Sequence, residues 1–269
     1  MHPVGACQRS CLPLAGCCNI DPNNSVLPVA AYLTGFGSIV SNLIMSQHYS
    51  QYARHYVAVD CVIFGINDGR LCLLLTKRSF APEKGKWSLM GGFVDEDESV
   101  DAAAQRVLTD LTGLKDVYMW QVGAFGEVDR DPGERVISVA YGALINIDEC
   151  VLGQTSSHNG SWIPLDELPP LGFDHPQMIE KARNLVKLKF ATEPVAFNLL
   201  PAFFTLSQLQ SLYETVFDEE IDKRNFRKRV GELPCIVPTD MIDKRCSRRG
   251  ARLHTFDVEA YSVNPKFKI

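Results

Sequence analysis

A chain of 269 residues that is 46% apolar and 22% charged can bury one large or two modest cores, and is too apolar for intrinsic disorder. A net charge of −5 excludes a protein that is basic throughout, yet residues 223–252 hold ten Lys or Arg against three acids, a local cationic face. The nine cysteines are an odd number, four of them (Cys7, Cys11, Cys17, Cys18) near the N-terminus, with Cys61 and Cys72 in apolar runs. This points to a reduced cytoplasmic protein, not a disulfide scaffold, and no His or second spaced pair completes a zinc site.

Between Asn23 and Gln47 there is no Lys, Arg, Asp or Glu, a length that would span a bilayer. Pro28, Gly35, Gly37 and several Ser and Thr dilute it, and Arg9 is the sole positive flank, so no membrane span and no secretory signal are expected. Residues 1–44 read as translated flank ahead of a working start at Met45, or as a disordered extension.

Regular patterning begins at Tyr56. YVAVDCVIFGI is an apolar strand, NDG at 67–69 a hairpin turn, and RLCLLLTKR the returning strand. APEKGKWSLM at 81–90 reads as loop. Ser99–Thr112 carries a helical stripe of Val100, Ala103, Ala104, Val107, Leu108 and Leu111, with Gly113 as its cap. VYMWQVGAFG and ERVISVAYGALINI are strands around the turn DRDPG, and HPQMIEKARNLVKLKFAT is a second helix with Pro176 in its first turn. Helices and strands mix without a βαβ repeat, which makes the class α+β, an α/β/α sandwich over 45–194.

Glu193-Pro194 breaks the helical pattern, and a second domain is expected over 195–269. TLSQLQSLYETVF is an amphipathic helix that Thr205 can cap, and IDKRNFRKRVGEL is a short helix with one apolar edge (Ile221, Phe226, Val230). LPCIVPTD and RLHTFDV follow as strands joined by MIDKRCSRRGA. Two helices and then a basic hairpin is the order of a winged helix-turn-helix. Lys223, Arg224, Asn225, Arg227, Lys228 and Arg229 would face a major groove, with Thr205 and Ser207 at the start of the preceding helix. Lys244, Arg245, Arg248, Arg249 and Arg252 load the wing.

Residues 91–114, GGFVDEDESVDAAAQRVLTDLTGL, place Gly92, Glu98, Arg106, Leu108, Gly113 and Leu114 at the offsets of the Nudix box, preceded by KGKWSLMGGF. The stretch resembles that box over 23 residues. In the family pattern three helix acids stand where this chain has Val107, Asp110 and Leu111; spaced i, i+3 and i+4, they share one face and would hold Mg²⁺ against a pyrophosphate. With Asp110 and Glu98 alone the cation has a poor cage, so no metal, no cofactor and no hydrolysis are expected.

LLPAFFTLSQLQSLYETVF followed by DKRNFRKRV is similar to the winged helix of Nudix-related transcriptional regulators. The runs FGEVDRDPGERV at 125–136, FDHP at 173–176 and DKRNFRKRV at 222–230 resemble the arabinose-responsive branch in gut Bacteroides. That resemblance implies a homodimeric repressor on double-stranded operator DNA, released by a sugar, with L-arabinose foremost. Pocket candidates are Arg78, Trp87, Phe93, Glu98, Asp129, Arg130, Glu134 and Arg135, since a sugar needs paired donors and acceptors and an apolar face. His175 reads as the start of a helix. Two alternatives stay open: a slow metal-dependent hydrolase of a nucleoside diphosphate derivative using Glu98, Asp110 and Glu127, and an RNA-binding or scaffold protein, against which residues 221–252 offer a single aromatic, Phe226.

Overall fold

The computed structural model describes residues 49–149, 160–245, 250–265 and 267. The readings made of residues 1–44, of Cys7, Cys11, Cys17 and Cys18, and of Arg248 and Arg249 lie outside the described residues. A short N-terminal stretch, 49–54, is distinct from the unit that begins at His55.

Strand β1 (Tyr56–Asn67) runs through the middle of a mixed sheet, and Val59 to Phe64 are buried along it. Burial on both faces explains its nearly unbroken apolar sequence. β2 (Arg70–Lys77) pairs antiparallel to it through a two-residue turn in which Asp68 and Gly69 take φ of 48° and 75°, the left-handed geometry that a tight hairpin requires. β3 (Trp87–Ser88), β4 (Met90–Phe93), β5 (Met119–Phe125), β6 (Val136–Leu144) and β7 (Gly160–Pro164) complete the sheet, β6 lying parallel to β1. The sequence pattern reads 81–90 as loop; in the structure Trp87 and Ser88 pair with Lys77 and Thr76. A two-residue edge is too short to show a period of two.

Helix α1 (Val100–Thr112) covers one face, packing Ala103, Ala104, Val107, Leu108 and Leu111 against Val59, Cys61 and Ile63. Ser99 caps its start by accepting from Ala102 N–H at 3.1 Å, and Gly113 at φ 75° ends it. Helix α2 (His175–Thr192) covers the other face, setting Met178, Ile179, Ala182, Val186 and Phe190 beside Val62, Phe64, Leu73 and Leu75. The result is the expected α/β/α sandwich.

A 3-10 segment, Pro194–Leu199, buries Val195, Ala196 and Leu199 and leads into a second small sheet of β8 (Phe204–Thr205), β9 (Ile236–Asp243) and β10 (Ala251–Phe256). With α3 (Leu206–Phe217) and α4 (Lys223–Gly231) this is a winged helix, followed by the short α5 (Val258–Val263). The apolar cluster on the α2 side of the sandwich continues into Leu209, Leu212, Tyr213, Phe226 and Val230. Tyr213 Oη donates to Phe190 C=O at 3.0 Å, and Thr215 Oγ1 donates to Gly69 C=O, at the β1–β2 turn, at 3.0 Å. Sandwich and winged helix therefore share one core. The described free cysteines, Cys61, Cys72 and Cys235, are buried, and no described helix is long and apolar enough to cross a membrane.

Candidate functional site

A cavity of about 490 Å³ opens at the end of the sandwich, within the size range of small-molecule sites. Its floor comes from the start of β1 and from α2. Asp60, 8% exposed, accepts from Ser138 Oγ–H at 2.6 Å through Oδ2. His175 Nδ1 accepts from Leu89 N–H at 3.1 Å, so Nε2 is the proton-bearing nitrogen, and it faces Asp60 Oδ1 at 3.5 Å. Arg130 is buried and gives a two-pronged hydrogen bond to Asp174, 3.0 and 2.8 Å, with Asp60 Oδ2 at 3.6 Å. Asp174 stands at the N-cap of α2 but makes no side-chain cap, because Arg130 occupies its carboxylate. Burial opposes ionisation of Asp60, yet His175, Ser138 and Arg130 outweigh it and hold the carboxyl below its ordinary value.

One wall is α1, which brings Arg106, Val107, Asp110 and Leu111 to the cavity. Val107 and Leu111, 5% and 7% exposed, make that wall apolar where acids would build a cation site. Glu98 is already engaged: it takes two hydrogen bonds from Arg106 and one from Asp95 N–H at 3.0 Å. The Arg106 contact foremost pulls its pKa down to about 2. Asp110 alone remains, so these residues do not fit a divalent ion; among the described residues no group of three or more His, Cys, Asp or Glu does. The mouth carries Lys77, Arg78, Phe80 and Phe93. Arg78 lies between two rings, 4.4 Å from the Phe80 centroid and 4.9 Å from that of Phe173, with Nε donating to Pro82 C=O at 2.9 Å.

Of the pocket residues expected from sequence, Arg78, Phe93 and Arg130 line this cavity and Trp87, Glu98, Asp129, Glu134 and Arg135 do not. Trp87 packs on the α2-side core, Asp129 and Glu134 are exposed, and Arg135 binds the carbonyls of Gly126 and Glu127 at 2.8 and 3.1 Å. Sequence reasoning missed Asp60, and it placed His175 at the start of a helix, where it is, without assigning it to the cavity. The available signal was a lone acid inside an otherwise apolar strand.

On the winged helix, α4 buries Phe226 and Val230 and exposes Lys223, Arg224, Asn225, Arg227, Lys228 and Arg229. Asp222 caps it, accepting from Asn225 N–H at 2.8 Å. At about 3.6 residues per turn, Arg224 and Lys228 lie opposite the buried edge. Among the described residues none of these cations is ion-paired with a carboxylate. Thr205 is buried and its hydroxyl serves a capping box with Gln208, whereas Ser207 is exposed. In the wing Lys244 and Arg252 are exposed, and Arg245 is held by Asp243 at 2.9 Å.

Residues 54–182 match the NUDIX domain family and 196–256 match the NrtR DNA-binding winged helix domain. The ADPR responsive transcriptional repressor NtrR of Acinetobacter baylyi is 33% identical over 219 residues, which cover 80% of this chain and 87% of that protein. The chain belongs to the NrtR family of Nudix and winged-helix regulators. Shewanella oneidensis NrtR, crystallised with a 27mer DNA, superposes with a TM-score of 0.69 at 32% identity, covering 77% of this chain and 95% of that one. An ADP-ribose pyrophosphatase of Methanocaldococcus jannaschii is 33% identical over 54% of this chain and 85% of its own length. Members of the family join a ligand-sensing Nudix fold to a DNA-binding domain, and this chain is a ligand-responsive, DNA-binding transcriptional repressor of that type.

Proposed function

We propose that the protein is a homodimeric repressor released from operator DNA when a pentose-bearing small molecule fills the sandwich cavity, and that its Nudix domain senses without hydrolysing. One observation carries the reading: a continuous packed path joins the cavity to the cationic helix. His175, at the cavity floor, is the first residue of α2; Phe190, near its other end, meets Tyr213 edge-on at 5.4 Å; Tyr213 meets Phe226, the buried foot of α4, at 5.8 Å. A ligand that favours one setting of α2 then biases the angle at which α4 is presented, and in a dimer that decides whether both helices meet successive major grooves.

The Acinetobacter baylyi relative is named for its response to ADP-ribose, which makes ADP-ribose the first ligand to test. Neither that relative nor the Shewanella oneidensis protein lends support to arabinose. A free pentose such as L-arabinose stays as the second reading because the floor balances donors and acceptors around Asp60 and keeps no unpaired cation for a phosphate. Both ligands present pentose hydroxyls. The wall of Val107 and Leu111 supports loss of hydrolysis.

Duplexes selected from random DNA, followed by gel shift with and without 1–10 multiples of Kd of each ligand, test the reading. Expected is a specific shift that ADP-ribose or L-arabinose reverses and that weakens steeply with salt. Absence of a duplex shift defeats the DNA reading. Turnover of ADP-ribose with Mg²⁺ or Mn²⁺ at about 1 s⁻¹, an ordinary enzymatic rate, defeats the sensor reading. Sedimentation of the free protein checks the dimer.

A further inference from the structure

The cavity keeps a single acid, Asp110, on the wall where a Nudix hydrolase needs several, and carries a buried one, Asp60, elsewhere. Asp60 Oδ2 is satisfied by Ser138 at 2.6 Å, and Oδ1, which faces His175 Nε2 at 3.5 Å, has a second lone pair and so keeps acceptor capacity. Gly91 leaves this carboxylate where it is: a Cβ at position 91 would collide with Asp60 Oδ1 and Val59 C=O. The nearby cation is spent, because Arg130 clasps Asp174. Asp60 and Asp174 sit with Arg130 and His175, so the floor holds no cation without a carboxylate partner. A phosphate finds no free cation there, whereas hydroxyl donors find the open acceptor of Asp60. Lys77 and Arg78, by contrast, stand at the mouth of the cavity with no carboxylate partner among the described residues.

We propose that Asp60 selects the ligand and sets its direction: a hydroxylated ring enters first and gives its O–H donors to Asp60 Oδ1, while any phosphate stays outward beside Lys77 and Arg78. Val107 and Leu111 supply the dry surface for the C–H face of that ring. The assignment rests on the cavity being the effector site, and adds which chemical group it reads.

Calorimetric titration of the full chain with ADP-ribose, ADP and L-arabinose tests this. ADP carries the phosphates and lacks the distal ribose. Expected are binding of ADP-ribose or L-arabinose, ADP weaker than ADP-ribose by at least about tenfold, and a loss of about ten- to a hundredfold for the bound sugar in Asp60→Asn, the size of lost charge-assisted hydrogen bonds. Asp60→Glu, which keeps the charge but pushes the carboxylate into the space of the ring, should weaken the same ligand and serves if the Asn variant does not fold. ADP binding as tightly as ADP-ribose, unchanged affinity in a folded Asp60 variant, or failure of both pentose compounds to bind overturns the assignment. A gel shift run beside the titration separates the two ideas: pentose bound without DNA release sinks the repressor reading and leaves Asp60 as the selector.

Discussion

Helices α1 and α4 are both amphipathic, and they use their residues in opposite ways. α1 buries Ala103, Ala104, Val107, Leu108 and Leu111 against the sheet, with Val107 and Leu111 also reaching a cavity. α4 buries only Phe226 and Val230 and leaves six cationic or amide side chains in solvent. Ionic replacements should therefore be costly in the first and neutral replacements cheap for the fold in the second, whose charges are there for a partner. Phe226 and Val230 are the buried side chains by which α4 is anchored.

That asymmetry is sharpest at Phe226, 1% exposed and packed on Tyr213. Phe226→Ala should cost about 3–5 kcal/mol, read by urea unfolding, and abolish the gel shift although no cation is removed. Leu111→Glu should cost about 2–4 kcal/mol by burying an unpaired charge; a variant as stable as the parent would mean that this wall is wet. Arg224→Ala, opposite the buried edge, should leave unfolding unchanged and weaken specific DNA binding by about 1–3 kcal/mol with relaxed sequence preference. Lys223→Ala, nearer the flank, should weaken all sequences alike and lower the salt slope by about one. Tyr213→Phe removes one buried donor to Phe190 C=O and should cost about 1 kcal/mol of stability. Its more telling readout is the ratio of DNA affinities with and without ligand, which should fall toward one if α2 transmits occupancy.

The contrast also explains what was legible in the sequence. α1, α2, β1 and β2 could be read because each has a full period and a terminal signal: Ser99 and Gly113, Pro176, and the Asp68-Gly69 turn. Trp87–Ser88 and Gly160–Pro164 could not, being short strands of the sheet whose pairing with β2 is set by distant residues. The cationic face of α4 is a local property and was visible; the floor of the cavity is not. Asp60, Ser138, Arg130 and Asp174 meet across sequence separations of 78 and 44 residues. Spacing put Glu98 among the pocket groups because the box pattern marks it, but the same pattern supplies Arg106, which claims it.

That Glu98–Arg106 pair gives the smallest effect and tests whether the box frame now serves the fold. The folded carboxyl titrates near 2 against an ordinary 4.5, so its proton binds more readily in the unfolded chain. A lowered pKa adds stability that is fully present above the unfolded value and is lost as pH falls through the folded one. Stability attributable to this pair should therefore hold from neutrality to about pH 5 and drain away between about 4.5 and 2. Urea unfolding of the parent and of Glu98→Gln across that range should give curves that converge at the acid end. Because the pair is solvent-screened, the gap at neutral pH should be modest. A gap that persists unchanged to pH 2 would mean that Glu98 stabilises by packing rather than by charge, and that what remains of the box is held by shape alone.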